Sequence, residues 1–188
     1  MNGECFQQDD IAVVGVVYDH PFDIDAVLSA CVDMLRSKGV RVAGLLQRFG
    51  ERLPGGKRKM YVEDLSSGER IRLDIPRGAE ASGCSLDSDS LNRAACALRN
   101  AITQRPDVLM VNRFGKQEAE GHGMRAELAE AVSSGLPTIV AVSQSLVGEW
   151  EKFLGEPGHL LKPEPTEIVN WTRQRVRSAG RAEPCTHR

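Results

Sequence analysis

The fold is decided by residues 11–47, which read IAVVGVVYDHPFDIDAVLSACVDMLRSKGVRVAGLLQ. The apolar, β-branched run at residues 11–17 predicts a strand buried on both faces, as in parallel sheets. A polar turn follows, and apolar residues at helical spacing then predict a helix over residues 26–38. A second strand is predicted at residues 40–47. The stretch is therefore a βαβ unit, whose crossover we expect to be right-handed.

The rest of the chain continues this alternation of strands and helices. Further strands are predicted at residues 59–64, 69–75, 107–111, 138–142 and 159–161, and further helices at residues 90–104, 125–134, 146–154 and 166–178. The first two of these strands form a hairpin, and residues 49–56 and 76–85 are predicted loops. Such alternation is typical of a three-layer α/β/α fold with a mainly parallel sheet, here carrying a β-hairpin insertion.

The domain organisation follows from the same pattern. Residues 11–178 form one predicted domain, since no linker or repeat divides them and domains usually have about 100–200 residues. Residues 1–10 (MNGECFQQDD) are expected to be a disordered lead-in, and they lack the basic and apolar regions of a signal peptide. Residues 179–188 are interpreted as a basic tail that is solvated and frayed.

Composition excludes several classes of protein. The 188 residues carry 24 basic and 26 acidic side chains, a formal net charge of −2, so binding of nucleic acid by bulk charge is not expected. No apolar run approaches the ~18 residues of a membrane span, so membrane insertion is not expected either. The five cysteines are an odd number without a C-x-x-C motif, which favours free thiols in the cytoplasm. Cys31 and Cys96 are predicted to pack in the core.

The turn after the first predicted strand lacks the groups that bind phosphate. A phosphate loop has the pattern G-x-x-x-x-G-K-[ST], and after Gly15 this chain has no second glycine, no lysine and no Ser or Thr at the required positions. Acids stand there instead and would repel a triphosphate. One interpretation is that Asp19, His20 and Asp23 bind a cation or a polar ligand. The alternative is that Asp23 or Asp25 caps the following helix and that His20 is solvated.

The segment after the third long strand carries the opposite charge. Residues 112–123 read NRFGKQEAEGHG, and Arg113 with Lys116 could bind a tetrahedral oxyanion such as phosphate, molybdate or sulfate, helped by Asn112. The alternative is a salt bridge from Arg113 to Asp19 or Asp23 in place of a metal ion. The segment also contains Glu118, Glu120 and His122. These three side chains could form a metal site, or they could form a solvated polar face.

Two segments resemble the small nucleoside-triphosphatases first described in thermophiles. Residues 107–118 (DVLMVNRFGKQE) are similar to that family's D-V-(apolar)3-D-E-(apolar)-G-K-M-E, and residues 59–73 are similar to its hairpin. In that family the Asp and Glu serve Mg²⁺ and the catalytic water. Here Asn112 and Arg113 replace them. An amide oxygen is a poorer Mg²⁺ ligand, and a guanidinium stays protonated and cannot act as a base.

The chain looks still closer to an uncharacterised bacterial family of P-loop-NTPase-like proteins, often encoded beside molybdate-transport genes. The matching signatures are the Tyr18-Asp19 turn, the C-x-L-D motif from Cys84 to Asp87, and NRFGKQEAEG at residues 112–121. The resemblance implies a ligand site that includes Tyr18 and a role in molybdenum or oxyanion handling. Asp87 is most simply a helix cap, and Cys84 is a further candidate ligand or redox thiol.

Three functions remain open at this stage. The first is a non-hydrolysing P-loop-like binding or regulatory protein of oxyanion or metal metabolism, and the missing catalytic groups favour it over an enzyme. The second is an enzyme that hydrolyses a nucleotide or phosphate ester with a rearranged site. The third is a protein-interaction module with a vestigial ligand site. The sequence does not tell which cofactor, if any, the protein uses. A homodimer is also open, because Trp150, Phe153 and Trp171 fit an interface or a core equally well.

Overall fold

The computed structural model describes residues 12–53, 56, 58–74, 87–155 and 157–179. Its strands lie in one sheet of the order β4-β3-β2-β5-β6-β1-β7. They are β1 (Val13–Tyr18), β2 (Val42–Arg52), β3 (Arg58–Asp64), β4 (Arg70–Arg72), β5 (Val108–Phe114), β6 (Thr138–Ser143) and β7 (His159–Leu161). Strands β2, β5, β6, β1 and β7 are parallel, whereas β3 and β4 extend the sheet as an antiparallel hairpin. The predicted hairpin insertion is thus confirmed.

Helices cover both faces of the sheet. They are α1 (Ile24–Arg36), α2 (Ser88–Thr103), α3 (Lys116–Ala119), α4 (Arg125–Ser133), α5 (Val147–Leu154) and α6 (Pro165–Ala179). Asp23 caps α1 by accepting from the Ala26 N–H at 3.1 Å, and Asp87 caps α2 by accepting from the Ser90 N–H at 3.0 Å. Both capping predictions are confirmed, with Asp23 rather than Asp25 at the start of α1.

Two apolar clusters, one on each face of the sheet, form the core. Helices α1 and α6 bury residues such as Leu28 and Ile168 against one face. On the other face α2, α4 and α5 bury Leu98, Leu128 and Trp150. The two layers of helix around a sheet confirm the three-layer α/β/α prediction. Among the described residues, no helix is long and apolar enough to cross a membrane.

Trp150 of α5 is the centre of an aromatic group on the buried side of that helix. Its ring stacks on Phe153 at 5.6 Å and meets the edge of Phe114 at 5.3 Å between centroids. The backbone of Gly15 in β1 approaches it so closely that a Cβ there would lie 2.9 Å from the Trp150 Nε1 atom. Trp150 is fully buried, and Trp171 is buried on the opposite face of the sheet. Both tryptophans therefore belong to the core and not to an interface between copies.

Three predictions were wrong, each for a local reason. A loop was predicted from residue 49 because the segment contains glycine and polar residues. Strand β2 instead continues to Arg52, because its last residues pair with β3. Cys96 is exposed, since the buried face of α2 is formed by residues on the other side of the helix, including Leu98. Asn112 and Arg113 belong to β5 and not to the loop after it. Residues 1–10, residues 76–85 with Cys84, and the tail beyond residue 179 lie outside the described residues.

Candidate functional site

A cleft of about 680 Å³ opens where β1, β5 and β6 end at the carboxyl edge of the sheet. Ligands bind at this edge in open α/β sheets. The lining side chains come from the turn after β1, the end of β5 with α3, and the segment from β6 into α5: Tyr18, His20, Arg113, Phe114, Lys116, Ala119, Glu120, Ser143, Ser145, Leu146 and Glu149. Cations and hydroxyls therefore share this cleft with two carboxylates and a small apolar wall.

One side of the cleft is closed by a cluster of four side chains, here called the Asp25–Arg113 cluster: Tyr18, Asp25, Asn112 and Arg113. The Arg113 guanidinium donates to the Tyr18 hydroxyl at 2.9 Å and to Asp25 Oδ1 at 3.1 Å. It also lies over the Tyr18 ring, 5.5 Å from the centroid. Asn112 Nδ2 donates to the same Asp25 oxygen. An arginine–carboxylate pair thus joins the end of β5 to the first turn of α1.

The Asp25–Arg113 cluster is largely withdrawn from solvent. The side chain of Asp25 is 14% exposed and that of Arg113 is 24% exposed. Burial raises the pKa of Tyr18 above its ordinary value, and the nearby Arg113 partly offsets this rise. Asn112 Oδ1 and Arg113 Nε are buried, and neither has a hydrogen-bond partner among the described residues. The cluster is a charge-balanced group with spare polar atoms at its centre.

Arg113 does form the predicted salt bridge, but its partner differs from the prediction. The expected partners were Asp19 and Asp23, whereas the contact is made by Asp25. Asp23 caps α1, and the Asp19 carboxylate accepts from the neighbouring His20 N–H at 2.9 Å. His20 remains at the cleft, with its ring 6.1 Å from the Tyr18 ring.

Glu118 holds the loop after β5 together. It is 8% exposed, and its carboxylate accepts from the N–H groups of Gly115 at 2.9 Å and Met124 at 3.1 Å. Gly123 leaves room for it, because a Cβ there would lie 2.3 Å from Glu118 Oε1. The carboxylate is therefore committed to the backbone and positions the loop that carries Lys116.

The rest of this loop does not form the alternative metal site. Lys116 is well exposed and lies 3.7 Å from Glu120 across one helical turn. The described residues contain no group of three or more His, Cys, Asp or Glu side chains arranged to hold a metal ion. The alternative of a metal site is therefore not supported, and the alternative of a solvated face was wrong for Glu118, which is buried. A role of Lys116 and Glu118 in ligand binding stays a prediction.

The end of β5 carries no carboxylate at the two positions where the resembling nucleoside-triphosphatases have Asp and Glu. The last residues of β5 supply an amide and a permanently charged guanidinium, neither of which can accept a proton from water at neutral pH. The only carboxylate in the Asp25–Arg113 cluster is already engaged by Arg113 and Asn112. The cleft can bind an anion through its cations and hydroxyls, or a small polar molecule against its apolar wall.

The sheet order and the position of the cleft define a fold of the P-loop NTPase type. A solution structure of a human cancer-related nucleoside triphosphatase has the same fold, with a TM-score of 0.57 and 19% sequence identity over 91% of this chain and 98% of that one. The resemblance of the sequence to nucleoside-triphosphatases is thereby confirmed at the level of the fold.

The chain belongs to the DUF2478 family, described as a protein of unknown function, whose family model matches residues 13–171. It is also 35% identical over 161 residues to the molybdenum import ATP-binding protein ModC 2 of Bradyrhizobium diazoefficiens. That match covers 86% of this chain but only 18% of the length of the relative. Most of the relative therefore lies outside the region that the two proteins share.

Proposed function

We propose that this protein is a non-hydrolysing, P-loop-like binding or regulatory protein that takes a small oxyanion in the cleft. The observation that carries the proposal is the Asp25–Arg113 cluster. A carboxylate–guanidinium pair fills the place between the first turn of α1 and the end of β5. A phosphate chain with its metal ion would have to displace this pair, and the carboxylate of the pair is already engaged by Arg113 and Asn112.

The anion would lie on the cleft side of Arg113. Arg113 lines the cleft and uses Nη1 for Tyr18 and Nη2 for Asp25, and each of these nitrogens carries a second proton that could be donated to an anion. Lys116 and His20 add positive or donating groups, and the hydroxyls of Ser143 and Ser145 lie 3.1 Å apart on the opposite wall. Guanidinium and hydroxyl donors around one cavity suit a tetrahedral oxyanion.

The similarity to a molybdenum import protein supports molybdate as the first oxyanion to test. It also supports a second candidate function, that of a regulatory partner of an oxyanion importer in the cytoplasm. The shared region is a small part of a much longer relative, so it occurs there joined to other segments. The region shared with this chain would then act by association with an ATP-binding protein. Co-purification with the ATP-binding subunit of a molybdate importer from the same cell would test this.

The main experiment is calorimetric titration with molybdate, tungstate, sulfate and phosphate. Arg113→Gln should lose the binding, whereas Arg41→Gln should keep it. Arg41 is a matched control because it also forms a pair with an aspartate, Asp107 at 2.8 Å, but lies at the amino end of β2. A phosphate-release assay with nucleoside triphosphates and Mg²⁺ or Mn²⁺ accompanies it. Turnover that Asp25→Asn or Arg113→Gln abolishes would refute the non-hydrolysing assignment.

A further inference from the structure

The hairpin of β2 and β3 extends beyond the part of the sheet that the parallel strands support. Only Val42–Leu45 of β2 pair with β5, whereas β2 continues to Arg52 opposite β3. We call the outer part, formed by residues 48–52 and 58–61, the arm. Because opposite residues of an antiparallel pair project from the same face, the arm has two faces whose charges can be compared.

The charges on one face of the arm are compensated. Arg48 donates to Glu63 at 2.9 Å and contacts the Ser29 hydroxyl of α1. Lys59 is paired with Glu51 at 2.8 Å. These cations are therefore accounted for by the arm's own structure and by its attachment to α1.

The charges on the other face are not compensated. Arg52 lies directly opposite Arg58, and like charges in this position repel each other. Neither guanidinium forms an ion pair with any carboxylate that the structure describes. An anion bound between the two would relieve the repulsion, and guanidinium groups recognise phosphate oxygens well.

An exposed aromatic ring lies beside this pair. Phe49 is 43% exposed, and the Arg58 guanidinium lies over its ring at 5.6 Å from the centroid. Arg58 is held there because it donates to the backbone carbonyls of Gly50 at 3.0 Å and Phe49 at 3.4 Å. The guanidinium therefore covers one face of the ring, and the exposed remainder of an aromatic ring next to cations is suited to stacking of a heterocyclic base.

We propose that this face of the arm binds a nucleoside polyphosphate, with phosphates between Arg52 and Arg58 and the base on Phe49. The site is separate from the cleft at Arg113, and it supplies cations that the turn after β1 lacks. Two uncompensated arginines offer few phosphate contacts, which favours a single nucleotide over a nucleic-acid strand. The aromatic ring favours a nucleotide over inorganic phosphate or an acidic peptide.

Calorimetric titration of the full chain with ATP, inorganic triphosphate and adenosine tests the proposal. ATP should bind more tightly than triphosphate, and adenosine should bind least. Phe49→Ala should reduce ATP affinity roughly ten- to hundredfold, to the level of triphosphate. Arg58→Gln and Arg52→Gln should weaken both phosphate ligands. Lys59→Gln is the matched control, because its charge is compensated on the other face of the same arm, and it should leave ATP affinity unchanged.

Several results would overturn this assignment. The proposal fails if ATP does not bind, if Lys59→Gln weakens binding as much as Arg58→Gln, or if Phe49→Ala has no effect. It also fails if a 20-residue oligodeoxythymidine or a hexaglutamate peptide binds more tightly than ATP, since the arm would then recognise a strand or an acidic protein. Arg113→Gln should leave ATP affinity at the arm intact, so the outcome is independent of oxyanion binding in the cleft.

Discussion

The ion pair between Asp25 and Arg113 should stabilise the fold measurably, because both side chains are largely buried. The perturbation is a double-mutant cycle of Asp25→Asn, Arg113→Met and the two together. Each substitution keeps side-chain volume close to the original, so that the loss of charge and hydrogen bonds dominates over a cavity.

The exposure of the two side chains sets the magnitude. Removing one partner of a fully buried pair costs about 3–5 kcal/mol, whereas an exposed pair contributes about 0–1 kcal/mol. Asp25 and Arg113 are 14% and 24% exposed, which is near the buried limit but open on one side. We therefore expect Arg113→Met to cost about 2–3 kcal/mol, including about 0.5–1 kcal/mol from its position over the Tyr18 ring.

Thermal and urea unfolding are the assays. For a domain of this size each 1 kcal/mol shifts the melting temperature by about 2–4 °C, so Arg113→Met should melt about 4–12 °C lower. The double variant should cost less than the sum of the single variants, by about 1–2 kcal/mol. A coupling energy below about 0.5 kcal/mol would refute the reasoning, because the contact between Asp25 and Arg113 would then make no measurable contribution to the free energy of unfolding.

Three further predictions concern single buried groups. Glu118→Gln should lower the free energy of unfolding by about 1–3 kcal/mol, measured in urea, because a carboxylate that accepts from two backbone N–H groups is replaced by an amide. Burial raises the pKa of Tyr18, so the folded state keeps the phenol proton longer than the unfolded state, and stability should fall as pH rises through and above about 10. Ultraviolet titration of the Tyr61→Phe variant would follow Tyr18 alone, and ionisation below pH 10 would contradict the burial argument. Burial also raises the pKa of the Cys31 thiol to about 11. In a variant whose three other cysteines are serine, a thiol reagent at pH 8 should therefore label exposed Cys96 and spare Cys31. Equal labelling rates of the two thiols would contradict this expectation.

Most of the fold could be predicted because its signals are local. Buried parallel strands are apolar throughout, as in β1 and β6, and the helices between them have apolar residues at helical spacing. The end of β2 could not be found in this way. Its last residues are polar and include a glycine, and only pairing with β3, which depends on the hairpin's register, makes them a strand. The prediction that Cys96 is buried was wrong for a related reason, since neighbouring positions on a helix can be buried and exposed.

The site was predicted less completely, because its contacts join distant parts of the chain. The sequence indicated that an acid near α1 could pair with Arg113, but three acids lie within seven residues there and their choice depends on how α1 docks. Glu118 carries a local signal for its position. A glutamate at the third position of a helix can turn back to the backbone N–H of the N-cap residue, as in one half of a capping box, and Glu118 does this to Gly115.

The position of Trp150 gives the protein a built-in optical probe. Its indole lies between the backbone of Gly15 and the ring of Phe114, and Phe114 lines the cleft. Trp171 lies in the apolar cluster on the other face of the sheet and does not line the cleft. Occupation of the cleft should therefore change the emission of one indole and leave the other as an internal reference. A Trp171→Phe variant would report binding by fluorescence with no label attached.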